Sequence, residues 1–145
     1  MTSKIVPAIM LAMGLSTVGA GSSLANSPAI EGVWQTHDDG GQVELFDCDG
    51  KICGRGRGST HLQPGDNPKD VHNKNPALRE RPLLGLEVIH GFAGGPSIWK
   101  GGTLYRPQDG GTYSGALELV DGETLKVTGC VAPILCQTQV WKRVH

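Results

Sequence analysis

Aromatic side chains are scarce: three tryptophans, two tyrosines and two phenylalanines in 145 residues. No stretch sustains a 3.6-residue apolar period, which argues against a helical bundle. Neither sign of charge dominates, with 13 Lys plus Arg against 14 Asp plus Glu. An electrostatic nucleic-acid binder would be expected to show a strongly basic face, so none is predicted as a partner. Chemistry-bearing motifs are missing too. The chain has no G-x-S-x-G, no H-E-x-x-H, no phosphate loop and no dinucleotide fingerprint, and so predicts no catalytic residue and no cofactor. The histidines at 37, 61, 72, 90 and 145 include no i, i+4 pair that would form a metal-binding face.

One long apolar run exists, Ile5 to Ala20, preceded by the single charge of Lys4. Small residues follow at Ser23 and Ala25, so 1–25 reads as a secretory signal peptide cleaved before Asn26. The alternative is an N-terminal membrane anchor. A span needs about 20 strongly apolar residues, and this run is interrupted by Pro7 and by Gly and Ser. No cysteine near the cleavage point suggests a lipoprotein. The expectation is a periplasmic or secreted protein, not integral to a membrane, whose residues 26–145 form one domain of ordinary size.

What the chain has in abundance is glycine, 22 residues, with apolar/polar alternation between turn signals. That pattern describes strands. Four strands joined by short turns are expected at Ile98–Arg106, Thr112–Leu119, Thr124–Val131 and Cys136–Arg143. Before them come Gly32–Thr36, Gln42–Cys48, Ile52–Gly58 and Leu84–Gly91. Short connections between neighbours give an antiparallel meander, and a meander leaves open edges. Pairing Gly32–Thr36 with Cys136–Arg143 removes them, so the predicted fold is all-β: an eight-stranded antiparallel up-and-down barrel. On its inner face the fourth strand would carry Leu84, Leu86, Val88 and His90. The third would carry Ile52, Gly54, Gly56 and Gly58, glycines that either allow a bend or leave space unfilled.

Four cysteines in an exported chain favour disulfides, and the spacing favours the local pairs Cys48–Cys53 and Cys130–Cys136. Each would close a short loop, worth about 2 kcal/mol by chain entropy. The rival, a four-cysteine zinc site, is poorly served by gaps that miss the usual two-residue knuckle. Setting Cys48 opposite Cys53 would place Phe46 opposite Arg55 and Glu44 opposite Arg57.

Residues 59–82 exceed an ordinary loop. Asn75 followed by Pro76 and Ala-Leu-Arg-Glu reads as one helical turn stopped by Pro82. The segment is either a lid over one barrel mouth or a solvated connector. Its Asp66, Asp70, Asn73 and Asn75 supply oxygens, but their spacing misses the calcium-loop pattern and such residues also make ordinary turns, so no metal is predicted. Arg55 and Arg57 fall on the outer face, whereas Arg79 and Arg81 are candidates for an anionic head group.

Two resemblances stand on particular residues. Gly32-x-Trp34 with Arg143 on the last strand resembles the lipocalin-type (calycin) signature, which implies a first-strand tryptophan packed on an arginine at the closed end of the barrel. Over nearly the whole mature chain, the sequence resembles the bacterial domain of unknown function family 2147. The matching pieces include Cys48-Asp49-Gly50-Lys51-Ile52-Cys53-Gly54-Arg55, Asn75-Pro76-Ala77-Leu78-Arg79-x-Arg81-Pro82 and Thr138-Gln139-x-Trp141-x-Arg143. This implies an exported lipocalin-like barrel of unassigned role, with Trp34, Trp141 and Arg143 closing it. Gly56-Arg57-Gly58 departs from the apolar run the family usually has there, which implies a roomier or more bendable wall.

The first functional expectation is therefore a binding barrel for a small apolar or amphipathic molecule. Its contacts would be Val43, Leu45, Ile52, Leu84, Leu86, Val88, His90, Leu117, Leu125 and Val127, with Leu119 beside them and Arg79 and Arg81 near the opening. The alternative is an envelope interaction module with a filled barrel and 59–82 as docking surface. No nucleophile–base pairing supports an enzyme.

Overall fold

The computed structural model describes residues 29–37 and 40–145, together with Gly19. Apart from Gly19, the proposed signal peptide lies outside them, as do Asp38 and Asp39 of the first turn. Eight strands follow in order: β1 (Gly32–Gln35), β2 (Gly41–Cys48), β3 (Lys51–Ser59), β4 (Glu87–Gly94), β5 (Ile98–Arg106), β6 (Gly111–Asp121), β7 (Thr124–Ala132) and β8 (Leu135–Arg143). Each pairs antiparallel with its neighbours, and β1 closes on β8, giving an up-and-down barrel. One 3-10 turn, Pro76–Leu78, lies in the β3–β4 crossover, with the Asn75 side chain accepting from the Ala77 amide. No helix among the described residues is long and apolar enough to cross a membrane.

One side chain reinforces the backbone pairing of the seam. Arg143 lies opposite Trp34 in the β1–β8 pairing, and its guanidinium sits 4.3 Å from the centroid of the buried indole. The same fork donates to the carbonyls of Gly122 (2.5 Å), Glu31 (2.8 Å) and Ala29 (2.6 Å). Gly32 has φ +128°, and a Cβ there would stand 2.7 Å from Arg143 Nη1. Glycine is needed on both counts. Trp34 Nε1 donates to the Ile30 carbonyl at 2.9 Å, so the chain entering β1 plugs this end. Ile30, Trp34, Leu45, Ile52, Phe92, Trp99, Leu117 and Leu125 form the core there.

Both disulfides form as expected, Cys48–Cys53 and Cys130–Cys136. The β2–β3 register differs from the expected one. Asp49 (φ 57°) and Gly50 (φ 79°) make a two-residue hairpin turn, the left-handed pair that Asp-Gly favours. This puts Cys48 opposite Lys51 and Phe46 opposite Cys53. The Cys48–Cys53 bridge is therefore diagonal, with Cα atoms 5.9 Å apart. Glu44 lies opposite Arg55, not Arg57, yet its carboxylate reaches both, at 3.3 and 3.2 Å, while Arg55 stacks on Phe46.

The fourth strand begins three residues later than expected. Between Ile52 and Gly54 of β3, two steps face three on β4, Phe92 to Ile89; between Gly54 and Arg55, one step faces two, Ile89 to Glu87. Two bulges thus reset the alternation. Ile89 and Phe92 turn inward, and His90 points outward to pair with Glu87. Leu84 and Leu86 precede the strand, in a stretch tied to Gly56 by the Gly56 amide to Leu86 carbonyl bond (2.9 Å) and the Gly85 amide to Gly56 carbonyl bond (2.8 Å). The glycine-rich third strand is tightly approached at Gly54 and Gly56 but not at Gly58, where a Cβ would meet nothing closer than 3.8 Å. A Cβ at Gly54 would meet Leu45 and Val43, and one at Gly56 would stand 2.6 Å from the Leu83 carbonyl. Those glycines admit neighbours already present.

Candidate functional site

An up-and-down barrel puts alternate turns at the same end. The Arg143 seam and the turns after β2, β4 and β6 lie at the packed end, and the other end carries the turns after β1, β5 and β7 and the long β3–β4 crossover. Behind that second end lies a cavity of about 820 Å³, within the range of small-molecule sites. Val43, Ile89, Val127 and Trp141 form its buried floor, with Val88 and Leu104 partly buried beside them. Leu62, Pro68, Leu83 and Leu84 from the crossover form part of its mouth, and Val131, Ile134 and Leu135 another. Polar groups are few: Tyr105, Gln108, Tyr113, Gln137 and Gln139 among them. Arg106 is the one charged residue among the described lining residues.

The crossover is fixed in place by a buried carboxylate. Asp70 has no exposed surface. It accepts from the Tyr105 hydroxyl (2.5 Å), Asn73 Nδ2 (2.8 Å) and Arg81 Nε (2.8 Å), and Arg81 also lies over the Tyr105 ring. Burial pushes the Asp70 carboxyl upward, but the bonds from Tyr105, Asn73 and Arg81 and the Arg81 charge outweigh it. The carboxyl therefore titrates below its ordinary value. Burial, together with the Asp70 carboxylate, raises Tyr105. Backbone bonds tie the same segment to itself, Asp70 to Arg81 (3.0 Å) and Leu83 to Pro68 (2.8 Å). At Gly110, in the β5–β6 turn, a Cβ would run into the His72 carbonyl.

A second carboxylate shapes the rim. Asp109 accepts from the Tyr113 hydroxyl (2.6 Å) and the Gly111 amide (2.7 Å) and lies 3.4 Å from Arg106. Burial pushes it upward. Tyr113, the Gly111 amide and the charges of Arg106 and Lys74 more than compensate, so Asp109 is held below its ordinary value. Tyr113 is raised, chiefly by its bond to Asp109. Both tyrosines thus face the cavity with their hydroxyls donated to carboxylates.

Of the residues expected to contact a ligand, the structure brings Val43, Leu84, Val88 and Val127 to the cavity. Leu45, Ile52, Leu117 and Leu125 are inward but fill the packed end. Leu86 lies outside the lining and His90 faces solvent. Arg81 is committed to Asp70, and Arg79 donates to the Asn73 carbonyl at 2.8 Å. The oxygens considered for calcium make turn hydrogen bonds: Asp66 accepts from the Gln63 amide, Asn73 from the Asn75 amide and Asn75 from the Ala77 amide. Cys53, Glu87 and His90 lie within metal-ligand distance of one another, but the sulfur is spent in the Cys48–Cys53 disulfide. Sequence reasoning missed Leu62, Leu83, Leu104, Tyr105, Tyr113 and Trp141 as lining residues. The apolar residues flanking the proline-rich crossover were the available signal for the first two.

The fold and family follow from comparison. No curated protein sequence matches the chain. Among solved structures, one described as "Protein HP1028 from the human pathogen Helicobacter pylori belongs to the lipocalin family" superposes with a TM-score of 0.72 and 27% identity, covering 79% of this chain and 82% of that one. The barrel is therefore lipocalin-like. Residues 32–143 match the model of the family described as "Uncharacterized protein conserved in bacteria (DUF2147)". That span runs from the glycine under Arg143 to Arg143 itself, and the chain belongs to this bacterial family.

Proposed function

We propose that this protein is a non-catalytic carrier that holds one small, largely apolar molecule in the mouth of its barrel. The observation that carries the reading is the uneven interior. One end is filled by Trp34, Phe92, Trp99 and their neighbours, while the other keeps a cavity of about 820 Å³ over an apolar floor. A barrel serving only as a scaffold would gain by filling that space, because interiors favour close packing. The ligand has an apolar body and an uncharged polar head. Val43, Val127 and Trp141 suit the body, while Gln137 and Gln139 suit a head that accepts or donates hydrogen bonds. Arg106 already faces Asp109, which disfavours a carboxylate. The tyrosine hydroxyls are bound to Asp70 and Asp109, which supports binding over catalysis. Two disulfides are more typical of periplasmic or extracellular proteins, and export through residues 1–25 completes the reading.

The test is displacement of N-phenyl-1-naphthylamine, an uncharged apolar dye, paired with native mass spectrometry of protein purified without denaturant. Saturable 1:1 dye binding is expected, lost at least tenfold in a Val88→Trp/Val127→Trp double variant that keeps its circular dichroism. No dye binding and no retained small molecule would sink the proposal.

A further inference from the structure

The β7–β8 hairpin is uncharged along most of its length: from Val127 to Trp141 there is no Asp, Glu, Lys or Arg. At its end three large apolar side chains stand in solvent, Ile134 89% exposed, Val131 68% and Leu135 61%. Single exposed apolar residues are ordinary, but a contiguous group marks an interaction site. These three also line the cavity, so the apolar surface continues from the tip into the binding space.

The tip is built to stay extended. Ala132 lies opposite Leu135, which leaves only Pro133 and Ile134 to turn the chain, and the Cys130–Cys136 bridge ties the arms together directly behind them. The short, bridged turn leaves Ile134 standing away from the barrel. Pro133 has no amide proton, which removes one donor that would otherwise have to be desolvated.

We infer that this hairpin is a membrane-docking tip, which enters the headgroup–acyl boundary of a lipid bilayer so that the cavity exchanges its ligand with the bilayer directly. The docking stands on the tip alone; the exchange rests on the cavity reading above. A bilayer fits better than a protein partner. A stable protein interface buries on the order of 1,200–2,000 Å² and needs shaped pockets, which the narrow end of a two-residue turn does not offer. A lipid boundary needs only an apolar insertion of about 5–10 Å, and three strand residues span about 10 Å. With no charge between Val127 and Trp141, the tip itself offers anionic lipid no attraction, and the binding is insensitive to salt.

Co-sedimentation with vesicles of phosphatidylcholine, and with vesicles of phosphatidylethanolamine plus phosphatidylglycerol, tests the docking. Wild-type protein should partition onto both, equally at low and high salt. Ile134→Asp, at an exposed position that does not threaten folding, should partition roughly tenfold less, since burying an isoleucine is worth at least that factor. Ile134→Trp should bind, and its fluorescence should be quenched by brominated acyl chains. Transfer of N-phenyl-1-naphthylamine to acceptor vesicles should accelerate with vesicle concentration in wild type and be independent of it in Ile134→Asp. Equal partitioning of wild type and Ile134→Asp would overturn the inference, as would binding only to the anionic vesicles that salt reverses. A tip-dependent dimer that ignores vesicles would assign the surface to a second copy instead and overturn it equally. Failure of the dye to bind would remove the carrier reading, while the partitioning data would still decide the docking.

Discussion

The hydroxyl of Tyr105 on β5 donates a 2.5 Å hydrogen bond to the carboxylate of Asp70, 35 residues earlier in the chain. Through that contact the β3–β4 crossover is fastened to the barrel, and its Leu62, Pro68, Leu83 and Leu84 become part of the cavity wall. The crossover is thus a structured rim, not a solvated connector.

Removing the donor should loosen that rim without dissolving the barrel. Tyr105→Phe leaves a buried oxygen of Asp70 short of one partner and should cost about 1–3 kcal/mol. Hydrogen exchange should accelerate at the Asp70 and Leu83 amides, which bond within the crossover, and remain slow at Leu117 and Leu125. Uniform acceleration would show that the crossover is part of the global folding unit.

Acid should act on the same bond. The Asp70 carboxyl titrates below its ordinary value in the folded protein, so the unfolded chain takes up its proton first as the pH falls. Asp70's contribution is fully present above the ordinary aspartate value of about 4 and is lost below it, as pH approaches the depressed folded value. Asp109 has the same sign. Thermal midpoints of wild type should fall below pH 4, and Asp70→Asn should be less stable at pH 7 and show a shallower acid slope. An unchanged slope would remove Asp70 from the account.

The seam makes a chemical distinction between two cations. Arg143 stacks on Trp34 and reaches three carbonyls with one planar fork, which the ammonium of lysine cannot reproduce. Arg143→Lys should therefore lose most of what Arg143→Ala loses, a loss of about 1–2 kcal/mol for the half-buried cation–π contact. Urea denaturation midpoints measure both, and full retention of stability in the lysine variant would contradict the geometry.

Trp141 offers an internal reporter. It lines the cavity and its Nε1 donates to Gln139 Oε1 at 3.0 Å, whereas Trp34 and Trp99 are buried outside that lining. A brominated apolar ligand should quench roughly one tryptophan's share of the emission, and Trp141→Phe should abolish that quenching. Quenching that survives the substitution would place the ligand elsewhere.

Closure of the barrel was legible because it depends on local marks at both chain ends of the fold, Gly32-x-Trp34 and Arg143, and on alternation that β6, β7 and β8 keep almost unbroken. The disulfides were legible from their spacing. The β2–β3 register departs from the expected one because the bridge does not join directly opposed residues. The two-residue preference of Asp49-Gly50 is the stronger rule there, and the bridge simply spans the diagonal. The β4 face was misread for a different reason. Two bulges move the inward positions to Ile89 and Phe92, and a bulge leaves no mark in a strict period-two pattern. The boundary between filler and cavity wall was hidden as well. Leu45 and Val43 sit two residues apart on one face, yet one plugs the packed end and the other lines the opening. Depth along a barrel axis depends on strand tilt and stagger, which no single strand's sequence records.

Both β1 and β8 have their outer ends at the Arg143 seam: β1 leaves it toward Thr36 at the rim, and β8 returns to it from Leu135. His145 reaches Glu123 in the β6–β7 turn at that same end. Anything fused after His145, such as a fluorophore or a surface-immobilisation handle, will stand behind the barrel and leave the opening unobstructed.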